Sequence, residues 1–449
     1  MKKILSIILI SMLVLSLSAQ DKKVKTGWKF GGALPAVTFD SDLGFQYGAL
    51  AEFFNYGDDT KYPDWLDHTY TEISRFTKGS AIYRFMYESN HLIPGVELIS
   101  DLSYLPDKAN NFYGFNGYES VYNKDWEDDA ATNSLYRTRM FYRFERNQFR
   151  FKNDFQGRLS GDHIKWSAGF AFQNFKTSSV NIDNLNKGKD VLLPSVTDQP
   201  GLFERYQDLG LISANETDGG WVNTVKAGLI WDSRDNRPNP MKGLWSELGI
   251  EIAPSFLGND WSFSKFYITH RQYFTLIEND LALVYRLGYQ ATLSGEVPFF
   301  YQSQVITSRL TGTSSEGLGG SSSLRGILRN RVIGDAFFLG NIELRWKPVY
   351  FTLLKQDCYL GLDLFYDFGK ITKNIALPAN LETDFDLYYD GSENFSDFFK
   401  PDTEKIHQSA GISIMLAMNQ NFVIAVDIGK ALNEQDGNIG FSIGLNYLF

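Results

Sequence analysis

One pattern runs from about Trp28 to Phe449 and limits what this chain can become: apolar and polar residues alternate with a period of two. Leu281, Leu283, Tyr285, Leu287 and Tyr289 alternate with Ala282, Val284, Arg286, Gly288 and Gln290. Leu360, Leu362, Leu364, Tyr366 and Phe368 alternate with Gly361, Asp363, Phe365, Asp367 and Gly369. Phe441, Ile443, Leu445, Tyr447 and Phe449 alternate with Gly440, Ser442, Gly444, Asn446 and Leu448. Successive side chains of a strand point to opposite faces. Each run therefore builds a strand with one apolar, aromatic face and one face of glycine, small polar groups and charge. Nothing after the first segment approaches about 18 unbroken apolar residues, which excludes membrane-spanning helices. Any membrane residence must then be as a β-barrel.

The predicted fold class is all-β: a transmembrane antiparallel barrel of about sixteen strands with a long loop folded into its lumen. A soluble sandwich would show the same alternation with its apolar face turned inward. Three features favour the barrel. Runs of about 10–14 residues match a tilted crossing with short extensions. Tyr, Phe and Trp recur near the strand ends, where an interfacial girdle needs them. No convincing helical segment interrupts the strands. The mean hydropathy of −0.25 fits as well, because lipid-facing and lumen-facing residues average to a soluble value. The predicted spans are 28–37, 43–56, 67–77, 81–89, 94–105, 136–158, 164–176, 221–232, 243–254, 261–275, 280–294, 335–349, 357–370, 407–417, 420–431 and 437–449. The 136–158 stretch is long enough to hide a hairpin near Asn147. Long connections over 106–135, 177–220, 295–334 and 371–406 all follow odd-numbered strands and so share one side. Turns after even strands are short, apart from Tyr56–Leu66. Long loops outside and short turns at the periplasm is the outer-membrane arrangement.

Lys2 and Lys3 precede an apolar run from Ile4 to Leu17, followed by Ser18-Ala19-Gln20. This reads as a secretory signal peptide over 1–19, cut after Ala19, with the barrel domain over 20–449. Losing two lysines moves the formal net charge from −10 to about −12.

Composition excludes other classes. Aromatics at 15% argue against disorder. The single cysteine, Cys358, leaves no disulfide framework and no multi-cysteine metal site. A pI near 5.2 argues against nucleic-acid binding through a general basic surface. The five histidines show no metal-ligand spacing. Gly312-Thr313-Ser314-Ser315-Glu316-Gly317 lacks the second glycine of a nucleophile elbow, and the glycine-rich runs lack a P-loop lysine. Asp125–Asp129 reads as a solvated acidic loop, or a weak divalent-cation site. No enzyme activity, metal or cofactor is expected.

Four segments carry a family resemblance. They are Trp231-Asp232-Ser233-Arg234-Asp235-Asn236 with Asn239-Pro240-Met241-Lys242-Gly243, then Gly319-Gly320-Ser321-Ser322-Ser323-Leu324-Arg325-Gly326, then Gly340-Asn341-Ile342-Glu343-Leu344-Arg345-Trp346, and last Phe365-Tyr366-Asp367-Phe368-Gly369. In order and spacing they resemble the C-terminal barrel of the BamA/TamA superfamily, also called the bacterial surface antigen family, most clearly over 220–449. The resemblance implies that the loop ending in Arg325-Gly326 folds into the lumen and that Arg325 pairs with Glu343 and Asp367. A guanidinium fork can serve two carboxylates. The sequence departs from the family at Ile327, where an aromatic is usual. Asp232, Arg234, Asp235, Asn236 and Gly243 resemble the family's turn motif. They read as a rigid periplasmic turn, and Arg234 and Asp235 could alternatively meet a periplasmic partner. Gly444, Leu445, Tyr447 and Phe449 resemble the signal that barrel clients present for their own assembly, and are equally a good lipid-facing strand.

The resemblance implies a barrel without the periplasmic POTRA domains that usually precede it. Its expected role is outer-membrane protein assembly or translocation, alone or as a partner in a larger complex. Its expected contacts are outer-membrane lipid, client barrels and envelope assembly or secretion partners, and no nucleic acid. A client strand would add at a weak seam between Trp28–Val37 and Gly437–Phe449, where Pro35 removes one ladder donor. The alternative is a passive pore or structural barrel, its lumen charges (Lys226, Arg286 and Arg345 against Glu247, Glu251 and Asp363) tuning solute passage.

Overall fold

The computed structural model describes residues 26–40, 44–58, 65–129, 135–235, 239–306, 317–353, 356–418, 422–445 and 447–449. The expected signal peptide, Asn236 of the turn motif and residues 312–316 lie outside them. One antiparallel sheet contains seventeen strand segments. They are β1 (Trp28–Pro35), β2 (Thr38–Asp40), β3 (Gly44–Asn55), β4 (Asp67–Phe76), β5 (Ala81–Ile93), β6 (Val96–Asn111), β7 (Arg143–Ser160), β8 (Ile164–Ser178), β9 (Gly219–Asp232), β10 (Gly243–Ala253), β11 (Phe263–Ile277), β12 (Leu281–Gly295), β13 (Ala336–Leu353), β14 (Gln356–Lys373), β15 (His407–Met418), β16 (Phe422–Ala431) and β17 (Ile439–Leu445).

The seventeenth segment comes from a break in the first strand. β1 and β2 both pair with β3, and Pro35↔Ala49 and Thr38↔Gln46 lie in one register. Pro35 has no N–H to give the ladder, so the strand is interrupted where the proline stands. From β2 onward each strand pairs with its neighbours in sequence, and β17 meets β2 at Ser442↔Asp40. β7 begins at Arg143, later than expected, and runs through Asn147 without a hairpin; Asn147 pairs with Pro106 and Lys176.

Helices do occur, contrary to the sequence reading. Ile182–Asn186, Leu202–Asp208, Phe299–Gln302, Leu381–Tyr389 and Phe395–Phe398 are helical. Each is too short to show a 3.6-residue period or to stand without tertiary packing.

The alternation sorts the side chains as a soluble protein would not. Ile342, Leu364 and Ile414 are 40%, 52% and 47% exposed. Glu343, Arg345, Asp363 and Asp367 are buried. The sheet thus has an exposed apolar face and a covered polar one. Lys226, Glu247, Glu251 and Arg286 are likewise buried on the polar face.

The four long connections gather at one end. Phe112, Tyr142, Phe203, Tyr206, Phe299, Phe385 and Phe398 share one aromatic cluster, contributed by all four. Phe112 and Tyr206 meet edge-on, their centroids 5.1 Å apart. Glu393 fastens this cap: it accepts from both terminal nitrogens of Arg137 at 2.6 Å and lies 3.1 Å from Arg205. Arg137 stacks over Trp126 at 4.3 Å. Burial raises the Glu393 carboxyl's pKa, but the Arg137 and Arg205 guanidiniums outweigh it and hold the carboxyl below its usual range. A carboxylate whose pKa falls on folding contributes stability above its ordinary value of about 4.3 and loses it on acidification. Amide exchange in 374–406, corrected for intrinsic rates, should stay flat from neutrality to about pH 5 and rise below about pH 4. Glu393→Gln should raise the neutral rate and flatten the acid limb.

Candidate functional site

β13 and β14 bring four charged residues together by register. Arg345 faces Asp363 and Asn341 faces Asp367 across the pair, while Glu343 lies two residues from Arg345 on the same face. The connection leading into β13 lies over them. Arg325 donates to Asp367 three times at 2.9 Å: from its backbone N–H and Nε to Oδ2, and from Nη2 to Oδ1. Its Nη2 also lies 2.8 Å from Glu343 Oε1, and its guanidinium sits 3.7 Å over the Phe365 ring. Asp427 of β16 stands further off, at 3.9 Å. All three members of the Asp367–Arg325–Glu343 group are buried. Bidentate, charge-assisted bonding of this kind is what offsets the desolvation of ions.

Gly326 shows why the tip can lie so low. Its φ is +89°, and a Cβ there would meet the backbone carbon of Gly429 at 2.5 Å. Gly429 pairs with Gly440 across β16 and β17, and a Cβ on Gly440 would meet Gly326 Cα at 3.0 Å. Three glycines thus let the tip rest on the backbone of the last hairpin. Ile327, where the family has an aromatic, is buried with Leu318, Leu324, Phe337 and Ile371.

Two further arginines of the tip escaped the sequence reading. Arg329 donates to Asn111 Oδ1 at 3.0 Å and to Asp107 Oδ2 at 2.9 Å, both on β6. Arg331 donates to the carbonyls of Gln435, Gly117 and Ser120 at 2.7, 2.8 and 2.9 Å. Seven residues from Arg325 to Arg331 therefore tie β14 to β6 and to two other connections. The signal was present: three arginines crowd just after a glycine run. His407, read as one of five scattered histidines, is buried between Asp436 at 2.6 Å and Glu404 at 3.3 Å and stacks on Tyr118.

Glu343 also faces a second arginine. Its Oε2 accepts from Arg345 Nε at 2.8 Å, and Arg345 Nη2 donates to the Phe449 carbonyl at 2.9 Å. The last strand accordingly does not run to Phe449 as expected. The ladder holds Gly444↔Ala425 and Leu445↔Ile424, and among the described residues it ends there. Tyr447 and Phe449 turn to the polar face and are buried. They are not lipid-facing. Arg345 lies 4.3 Å over the Tyr447 ring and 5.0 Å over that of Phe449.

The β9–β10 turn approaches the same place. Arg234 binds Asp232 through Nε and Nη2 at 2.8 and 2.9 Å, and Asp235 Oδ1 accepts from the N–H groups of Met241 and Lys242. Gly243 has φ +97°, and a Cβ on it would meet the Ser233 carbonyl oxygen at 2.2 Å. So braced, the turn sends Asn239 Nδ2 to Tyr359 Oη at 2.8 Å and packs Met241 with Tyr273 and Phe449. Tyr359 Oη in turn lies 2.9 Å from Tyr447 Oη. The loop tip, the turn and the end of the chain converge.

Asp125 and Asp128 have partners within the protein, and no group of three or more His, Cys, Asp or Glu among the described residues could hold a metal ion.

The model of the Omp85 superfamily domain matches residues 108–447. The chain belongs to the Omp85 superfamily. The match starts at Lys108, so membership reaches well ahead of the motifs over 220–449. Members act as outer-membrane channels for protein translocation or assembly and are not enzymes. Among solved structures, the chain is similar to BamA from Haemophilus ducreyi lacking POTRA domains 1–3, at 13% identity and a TM-score of 0.50, over 94% of this chain and 71% of that one. It is similar to CdiB from Escherichia coli at 10% identity and a TM-score of 0.51, over 96% of this chain and 64% of that one. At these identities the likeness is one of fold. No curated protein matches.

Removing one partner of a buried ion group leaves the others uncompensated. Arg325→Ala should cost about 3–5 kcal/mol, read as a lower temperature for the loss of folded gel mobility. Arg325→Lys should recover only part of it, because an ammonium cannot reproduce the fork. Gly326→Ala should lift the tip and weaken the same pairs without removing a charge.

Proposed function

We propose that the sheet is a closed transmembrane barrel of the BamA/TamA type, that its polar face is the lumen wall, and that it helps assemble or translocate other outer-membrane proteins. It would act as a dedicated factor or as the partner of a larger complex, exported by its signal peptide. Arg325 with Gly326, Glu343 and Asp367 anchors the inserted loop in the lumen. Asp232, Arg234, Asp235, Asn236 and Gly243 form the periplasmic turn, and the segment Gly444–Phe449 serves the protein's own assembly.

The observation that carries this reading is the seam. Among the described residues β17 meets β2 through one pair, Ser442↔Asp40. On its other side β17 pairs with β16 continuously from Ile424↔Leu445 to Lys430↔Ile439. Among the described residues β1 pairs with β3 alone, which leaves backbone donors and acceptors on its second edge for another strand. An edge of that kind templates the addition of another strand. The loop tip bears on Gly440 of β17 and so touches the strand that would move.

Two experiments test this. Depleting the protein and quantifying the outer-membrane proteome should show loss of one or more barrel proteins. An unchanged proteome would favour the passive pore instead. Asp40→Cys with Ser442→Cys, in a Cys358→Ser background, should form a disulfide across the seam. The oxidised protein should fail to replace the native one and recover on reduction; full activity while oxidised argues against an opening seam.

A further inference from the structure

A cavity of about 40 Å³ lies on the polar face, between the wall of β7–β10 and the segment that follows the Phe299–Gln302 helix. Its cover is pinned at four places. Tyr301 Oη donates to Glu251 Oε1 at 2.7 Å, and Lys265 Nζ donates to Gln302 Oε1 at 3.0 Å. Gln290 of β12 holds the backbone beyond: it donates to the Gln304 carbonyl and accepts from the Ile306 N–H, both at 2.9 Å. Charge on the wall is uneven. Among the described residues three cations and one carboxylate line the cavity: Arg150, Lys152 and Lys226 against Glu251. Asp101 is shared by Arg84 and Arg150, at 2.6 and 3.3 Å, and Asp154 by Lys152 and Lys226, at 3.1 and 2.8 Å. Two carboxylates thus serve four cations, while Glu251 accepts from Tyr301 and Thr224. Covered cations in excess of the carboxylates that serve them favour an anion beside them. A second observation points the same way. Gln304 is 8% exposed, and its Nε2 is buried without a hydrogen-bond partner among the described residues. A donor so placed costs stability unless something accepts from it. Roughly 10–15 Å³ holds one water, so the space admits a monatomic anion and excludes a bulky organic one.

We propose that this cavity binds a halide ion such as chloride, seated among Gln304 Nε2, Arg150, Lys152 and Lys226. The ion accepts from the Gln304 amide, completes the charge of the wall and clamps the 301–306 segment onto β7–β10. The seat shares no residue with the Arg325 group or with the seam, so it is independent of the proposed function.

The test uses the purified full-length chain in a neutral detergent, with ionic strength held constant so that screening does not change. The melt is followed by near-ultraviolet circular dichroism. Replacing isethionate, an organic anion too large for the cavity, by chloride or bromide should raise the melting temperature saturably, by about 2 °C or more. Gln304→Glu places a carboxylate where the ion would sit. It should melt as high in isethionate as the unaltered protein does in bromide, and should gain nothing from halide. Gln304→Leu should lose the halide response without that gain. Crystals soaked in bromide should show an anomalous peak between Gln304 and Lys226 in the unaltered protein, and none there in Gln304→Glu. The bromide map of the unaltered protein does not depend on any variant folding. A melting temperature indifferent to halide, an equal response in Gln304→Glu, or an anomalous map empty at this place overturns the proposal and leaves the cavity to water.

Discussion

Burial of Arg325 between Asp367 and Glu343 is the interaction on which the rest depends. Withdrawing ions from water costs several kcal/mol each, and only close, multiple bonding offsets it. Asp367 spends both oxygens on Arg325, and Glu343 divides its two oxygens between Arg325 and Arg345. Asp363 adds a third buried carboxylate, 3.9 Å from Arg345. Without Arg325 the Asp367 carboxylate would lose the guanidinium that bonds both of its oxygens, and Glu343 would keep only Arg345. The tip is therefore not a loop resting by chance on a wall: its departure must admit either water or another cation.

The register that builds the sheet also builds this group. Glu343 and Arg345 share a face because they stand two residues apart, as do Asp363 and Asp367 at four. The β13–β14 pairing then sets Arg345 opposite Asp363. A one-residue slip would turn these charges outward and the leucines inward, so fold and site are specified together. Arg329 and Arg331 extend the link from β14 to β6 and the cap.

What the sequence made legible follows from the same period. That Glu343, Arg345, Asp363 and Asp367 lie on the polar face needed nothing but alternation, and the glycines around Arg325 marked a tight approach. The break after Pro35 was legible as a missing donor, though not as a divided strand. Arg329 and Arg331 were not read because their partners, Asp107 on β6 and the carbonyls of Gly117, Ser120 and Gln435, lie far away in sequence and belong to no motif. The short helices of the cap were invisible because tertiary contact, not local period, stabilises them. Tyr447 and Phe449 misled for a subtler reason. Their alternation continues that of β17, and the contacts with Arg345 and Tyr359 that hold them inward come from strands distant in sequence.

That diversion sets two tendencies against each other at one seam. Ladder pairing would extend β17 along β16 and close its other edge against β1. Arg345 and the turn at Asn239–Met241 instead draw the end of the chain inward, while Gly326 bears on β17 from within. β1 gives little in return, since Pro35 interrupts it and a bulge shifts its register between Phe30 and Gly32. Among the described residues the seam holds the single pair Ser442↔Asp40. Beyond Leu445 a buried arginine holds the backbone where, among the described residues, no ladder pair does. Glu343 contacts Arg345 at both Nε and Nη2, so the donor that holds the Phe449 carbonyl is itself fixed by an ion pair.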